Sequence, residues 1–448
     1  MNLDSQDSDQ VSPLTKKKLL GITEHDQRFK LHNDMQAGAC EVVSAPLQVS
    51  HLVLMCDSNL VDQERQSITQ LCERYGVLPP ADYSTDFVSD MGGVRFKWER
   101  HTEYSTYTIY HSAPFDTPFA APAINHLPKE WLESVPGEVM VAVHIAVESK
   151  ERSVRKIGEL AALFASNTVI GAEVAGGRAY VWTDNQIHAD GFGRILIHNM
   201  NLRSRQAGRL IKRMLEIETY RMLAMLSVPL TRKYIPELAK YDRKLAELTA
   251  NHAALNCVAD EQKLLEDITE LAAEIEDVSA QTSHRFNSSK AYYSIVQRRV
   301  KELREKRIEG LQMFHEFTDQ RLTNAMITCD LVHNKLDTLS KRVERVSALL
   351  RTRVDITMEE QSRDLLKSMD KRASLQLRLQ ETVEGLSVVV LSYYLLGLVS
   401  YGLKGLKGSG LKFDTEVATG IAIPFVVGVV FFSVRRMKSK LEKDHPSI

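Results

Sequence analysis

The chain has 448 residues, with 57 lysines and arginines against 58 aspartates and glutamates, a net charge of −1. That length accommodates two soluble domains and more, and the balanced charge excludes a protein that grips nucleic acid through bulk charge. Five scattered cysteines (Cys40, Cys56, Cys72, Cys257 and Cys329) form no CxxC pair, which fits a reducing compartment and excludes a zinc knuckle or a disulfide framework.

Residues 1–22 are rich in Ser, Asp, Gln and Lys and read as a disordered tail, without the apolar stretch of a signal peptide. Residues 23–202 read as an α+β domain with a largely antiparallel sheet. Val49–Met55 is a short apolar run. Val94–Tyr110 is rich in aromatic and β-branched residues and reads as a hairpin turning near Arg100–Thr102. Glu138–Val147 reads as a buried strand. Val169–Thr183 reads as two strands joined at Gly176-Gly177, a pair that tolerates positive φ, and Arg194–Asn199 as one more. Helical patterns fall at Asp62–Tyr75 and Leu127–Ser134.

The densest polar cluster of this domain is Trp182, Asp184, His188 and Asp190. A histidine with two carboxylates is a candidate for ligand or metal binding, or for acid–base chemistry. The plainer alternative is a strand–turn–strand crossing, with Asp184 and Asp190 as turn formers before Gly191 and Gly193. His51, His144 and His198 lie in apolar strands and read as hydrogen-bonded residues of the core or the sheet face. No Walker A, HExxH, GxSxG or EF-hand pattern occurs, so no catalytic constellation and no cofactor is expected.

Residues 203–385 read as a helical, coiled-coil stalk. Between Pro236 and Gly385 the one glycine or proline is Gly310. Three sets of apolar residues step by three and four, the heptad signature. They are Leu238, Tyr241, Leu245 and Leu248; Leu264, Ile268, Leu271, Ile275 and Val278; and Leu336, Leu339, Val343, Val346 and Leu350. A turn is expected at His284–Lys290, where Asn287 and Ser288 offer a turn and an N-cap. That makes an antiparallel helical hairpin, followed by a long helix from Gln312 with a kink near Val354–Met358. Within the stalk, Gln297–Arg307 interleaves basic residues with Glu302 at helical spacing, the pattern of a solvated face and not of a nucleic-acid surface.

Two uncharged runs follow, Leu386–Leu403 and Val417–Val434, each of eighteen residues. At ~1.5 Å per residue each helix would cover about 27 Å, close to the hydrocarbon thickness of a bilayer. Residues 386–434 therefore read as a transmembrane hairpin, and the lipid bilayer as a partner. Residues 435–448 form a basic tail that includes Arg435, Arg436, Lys438, Lys440 and Lys443, which places both termini in the cytoplasm. Gly397, Gly402, Gly420 and Gly428 permit close helix packing and point to a homo-oligomer.

Several blocks (WERHTEYSTYTIY, AEVAGGRAYVWTDNQIHADGFGRILIHN, LRSRQAGRLIKRMLEIETYRMLAML and LLRTRVDITMEEQSRDLLKSMDKRASLQLRLQETVEGLSVVVLSYY) resemble a bacterial family of uncharacterised membrane-anchored proteins. The resemblance covers most of residues 25–435 and implies an anchor in the bacterial inner membrane. One segment departs: where the family reads like LHNELHARPF, this chain reads LHNDMQAGAC over Leu31–Cys40, with Gln36 in place of a histidine. A second likeness is architectural. CorA-type magnesium transporters also place an α+β domain, a long helix and two C-terminal spans in that order. Their first span ends Tyr-Gly-Met-Asn; here it ends Tyr401-Gly402-Leu403-Lys404, and a lysine at a cation-pore mouth repels the ion.

The expected function is a membrane-anchored cytoplasmic scaffold or sensor. A CorA-like oligomeric channel is the alternative, and an enzyme using the His188/Asp190 region stands third.

Overall fold

The computed structural model describes residues 18–19, 22–23, 25, 28, 41–81, 84–251, 258–408 and 414–444. Most of the expected disordered tail, the divergent Leu31–Cys40 segment, Cys257, the loop between the apolar helices and the last four residues lie outside the described residues. The strands are β1 (Lys18–Leu19), β2 (Ile22–Thr23), β3 (Leu47–Met55), β4 (Asp86–Met91), β5 (Val94–Arg100), β6 (Tyr104–His111), β7 (Glu138–Glu148), β8 (Ile170–Val174), β9 (Ala179–Thr183), β10 (Gly193–Asn199) and β11 (Lys306–Arg307). The helices are α1 (Val61–Tyr75), α2 (Lys129–Ser134), α3 (Ile157–Leu163), α4 (Ser204–Met225), α5 (Ser227–Asn251), α6 (Val258–Leu303), α7 (Phe314–Thr318), α8 (Asn324–Gly408) and α9 (Thr415–Asp444).

β3 to β11 form one sheet in the order β11-β8-β9-β10-β7-β3-β6-β5-β4. Its pairs are antiparallel except β10 with β7. Each strand expected from the sequence forms, and the β5–β6 hairpin turns just after Arg100. β4 adds an edge strand whose sequence, Asp-Phe-Val-Ser-Asp-Met, carries too little apolar alternation to be read as a strand. The Gly92-Gly93 turn, with both φ values positive, folds it back onto β5.

Strand alternation splits the sheet into two faces. Phe96 and Trp98 of β5 and Tyr107 and Ile109 of β6 meet Ile68 and Leu71 of α1 and Trp131 of α2 in one core. Burying an apolar side chain of this size contributes ~1.5–3 kcal/mol, so these residues anchor α1 and α2 on that face. On the opposite face Leu223 of α4 packs with Val53, Tyr104 and Val141.

By packing, the chain divides into two compact units: residues 1–249 with 268–344, and residues 250–267 with 345–448. In the first, α5 and α6 run antiparallel, joined by Tyr234 to Gln281 at 2.9 Å and Lys244 to Glu274 at 3.3 Å. α8 then returns along α6, with Tyr293 donating to Thr323 at 2.8 Å and Lys290 3.4 Å from Asp330. An antiparallel pair is therefore present, but not the expected hairpin turning at His284–Lys290: α6 passes through that stretch unbroken. Thr282, Phe286 and Ser289 are buried and carry the apolar stripe of Val278 on to Val296, while the turn-forming Asn287 points outward. Packing of that stripe overrides the local preference. In the second unit Glu261 is buried against Arg353 at 2.6 Å, beside the buried Leu264, Leu350 and Val354. α8 is helical through Val354–Met358, and a π-helical turn precedes it at Asp319–Thr323.

Candidate functional site

β5 alternates Val94, Phe96 and Trp98 toward the core with Lys97 and Glu99 toward α4. β6 does the same with Tyr104, Thr106 and Thr108, and β3 contributes His51. The register then makes rows. His51 lies opposite Thr108, and Thr108 opposite Lys97; in the next row Thr106 lies opposite Glu99. α4 lays Lys212, Glu216, Thr219 and Tyr220 over these rows, leaving a cavity of about 290 Å³. A neighbouring open space of about 580 Å³ shares His101, Tyr104 and Tyr220 with it and is lined also by Tyr292 of α6.

One glycine makes this arrangement possible. A Cβ at Gly208 of α4 would lie 1.8 Å from the carbonyl oxygen of Glu41, so only glycine lets the chain before β3 cross the helix there. Glu41 thereby reaches the cleft and is held by Arg95 at 3.1 Å.

At neutral pH the imidazoles and phenols of the cleft are uncharged. Burial, and then the charges of Lys97 and His101, push His51 down to about 3. Its ring lies 2.8 Å from the Thr108 hydroxyl and 3.3 Å from that of Thr219. Burial also lowers His101, which stacks on Tyr104 at 4.4 Å, and raises Tyr104, Tyr220 and Tyr292. The charged groups are arranged unequally. Glu216 is gripped by Arg299 at 2.5 Å, and Glu99 by Lys97 at 3.0 Å. The Lys97 ammonium is buried, with side-chain exposure of 8%, and that single carboxylate is its ion-pair partner among the described residues. Among the described residues no group of three or more His, Cys, Asp or Glu is placed to hold a metal ion. The cleft can therefore bind and orient a small polar molecule through an ammonium, hydroxyls and aromatic faces.

A family model described as a protein of unknown function (DUF3422) matches residues 23–441. The chain belongs to DUF3422. No curated protein and no solved structure matches it. The DUF3422 match takes in the sheet, the cleft and both apolar helices.

The residues singled out in the sequence of this DUF3422 chain fall in three places. Asp184 and His188 come together, with Nε2 3.0 Å from Oδ2 and both side chains buried, and the hydrogen bond to that carboxylate oxygen is donated by Asn167 at 2.7 Å. The Asp184 Oδ1 accepts the Gln186 N–H, a turn-forming role. Asp190 instead pairs with Arg194 at 3.3 Å and caps the Phe192 N–H at 3.1 Å. Trp182 packs in a core with Phe119, Phe164 and Leu196. Tyr401, Gly402 and Lys404 lie on α8, with the Lys404 ammonium 5.9 Å from the Tyr401 ring centroid. His144 and His198 are buried in the sheet, beside Ser50 at 2.9 Å and Glu148 at 3.5 Å. Sequence reasoning assigned His51 to the core or sheet face and passed over Lys97. The available signal was a lysine between Phe96 and Trp98, in a strand rich in aromatic and β-branched neighbours.

Proposed function

We propose that this DUF3422 protein is a membrane-anchored cytoplasmic sensor. Two C-terminal helices hold it in the bacterial inner membrane with both termini in the cytoplasm, and the α+β body receives a small polar ligand in the cleft under α4. The observation that carries the anchor is exposed apolar surface. The most apolar windows of α8 and α9 have mean hydropathies of 1.8 and 2.3, yet only 6% and 11% of them are buried. Tyr393, Leu398, Phe425 and Phe432 are all exposed there. A soluble core helix of that composition is buried; hydrocarbon is the medium that accepts such a surface. The heptad stripes of α5, α6 and α8 support a coiled-coil stalk. Gly397, Gly402, Gly420 and Gly428, each with open space at its Cβ position, favour self-association of the spans. Lys404 weighs against the CorA-like channel, because it would set a ring of positive charge at the pore mouth.

Reporter fusions test this reading. A reporter after Ile448 should be active in the cytoplasm, and one inserted at Ser409 should face outward. A C-terminal reporter active only outside the cytoplasm would contradict the hairpin.

A further inference from the structure

We infer that the cleft between β3, β5, β6 and α4 is a binding site for a small organic monocarboxylate, its carboxylate on Lys97 and its apolar part against Tyr104 and Tyr220. The inference rests on the sensor reading and names the class of ligand sensed.

The argument begins with donors. An ammonium has three N–H groups, and that of Lys97 is buried with contact to one carboxylate oxygen, Oε1 of Glu99. Lys97 lines the cleft, so the N–H groups not engaged by Glu99 are open to a further acceptor placed there. The row beside it adds another donor. Neutral His51 can give one N–H and accept one hydrogen bond. Of the two hydroxyls on its ring, Thr108 and Thr219, one must donate to the imidazole, and the other accepts from it and keeps its own proton for another partner.

Three of the four carboxylates of the cleft, by contrast, are engaged. Glu41 is held by Arg95, Glu99 by Lys97 and Glu216 by Arg299. These carboxylates, with Asp86 at the rim, also set the charge the site tolerates. A phosphate dianion would meet four carboxylates, and an organic cation would meet Lys97 and Lys212. A single negative charge shared over two oxygens satisfies the ammonium at the smallest repulsion. Size agrees, since about 290 Å³ sits at the low end of ligand pockets, ~300–1,000 Å³. Beyond the polar rows the wall is aromatic. His101 stacks on Tyr104, and Tyr220 stacks on Tyr292 at 5.6 Å. Burial keeps these phenols protonated, so they present neutral faces to a ring or a short chain.

The test is calorimetric titration of the purified full chain in detergent with benzoate as probe. Inorganic phosphate and benzylammonium serve as opposing probes. Benzoate should bind saturably and the other two should not. Lys97→Met should weaken benzoate at least about tenfold, the scale of one charged hydrogen bond. If Lys97→Met loses its cooperative melt, Thr108→Val and Thr219→Val replace it, with a loss of about threefold or more expected for whichever of the two hydroxyls keeps its proton for the ligand. Absence of saturable benzoate binding, equal or tighter binding of phosphate or benzylammonium, or unchanged affinity in folded Lys97→Met or, in its place, in both threonine variants would each overturn the assignment. Because the titration is done in detergent, it is independent of anchoring. A chain that binds benzoate but is not held by membranes would sink the anchor and keep the site, and the reverse result would do the opposite.

Discussion

Glu64→Ala should destabilise the α+β body by about 3–5 kcal/mol, the usual cost of leaving a buried ion pair half-empty. Glu64 belongs to α1 but is fully buried. Its Oε1 accepts from Trp98 Nε1 at 2.9 Å and from the Tyr107 hydroxyl at 2.7 Å, and its Oε2 accepts from Arg100. One carboxylate thus ties the first helix to two strands and satisfies the buried donors of Trp98 and Tyr107 together with the partly buried Arg100 guanidinium. Alanine leaves the two buried donors unmet and the cation without its partner. Glu64→Leu combined with Arg100→Met removes the stranded cation together with its partner and should recover part of the loss, the remainder being the unmet Trp98 and Tyr107 donors. Urea unfolding followed by tryptophan fluorescence measures both. A change below about 1 kcal/mol for Glu64→Ala would mean that the pair is not buried as described.

Acid should act almost as strongly. Burial, then the Lys97 and His101 charges, lowers His51 to about 3; burial lowers His144 to about 4, against the opposing pull of Asp190. Both folded values lie below the ~6.5 of an unfolded histidine, so the unfolded chain binds the extra protons. Stability is therefore fully present above about pH 6.5 and falls as pH drops toward the folded values. From pH 7 to 5 each histidine should withdraw about 2 kcal/mol, roughly 4 together, out of a typical ~5–15 for a domain. The paired substitution His51→Asn with His144→Gln should flatten that slope. A wild-type stability that does not change between pH 7 and 5 would contradict the burial of these imidazoles.

The parts of the fold legible in the sequence are those whose signal is local. Val94–Tyr110 reads as a hairpin because aromatic and β-branched residues dominate both halves, and β5 and β6 form there. The buried heptads Leu271, Ile275, Leu336 and Leu339 announce themselves by spacing alone. β4 does not, because Ser89 and Asp90 interrupt its apolar pattern and its position depends on Gly92-Gly93 and on β5. The passage of α6 through His284–Lys290 is hidden for a related reason: six of its seven residues are polar, and the burial of Phe286 and Ser289 appears only once neighbouring helices are in place. The site divides in the same way. Asp184 and His188 are four residues apart and can be paired by eye. The cleft draws on His51, Lys97, Thr108 and Thr219, brought together by strand register and by the crossing of α4 at Gly208, and no linear motif spans them.

The central claim is that this DUF3422 chain is held in a bilayer by α8 and α9. Sedimentation of bacterial membranes after an alkaline carbonate wash, which strips peripheral proteins, tests it most directly. The full chain is predicted to stay in the membrane pellet and to leave it only with detergent. Release of the full chain into the carbonate supernatant, folded and without detergent, would contradict the account.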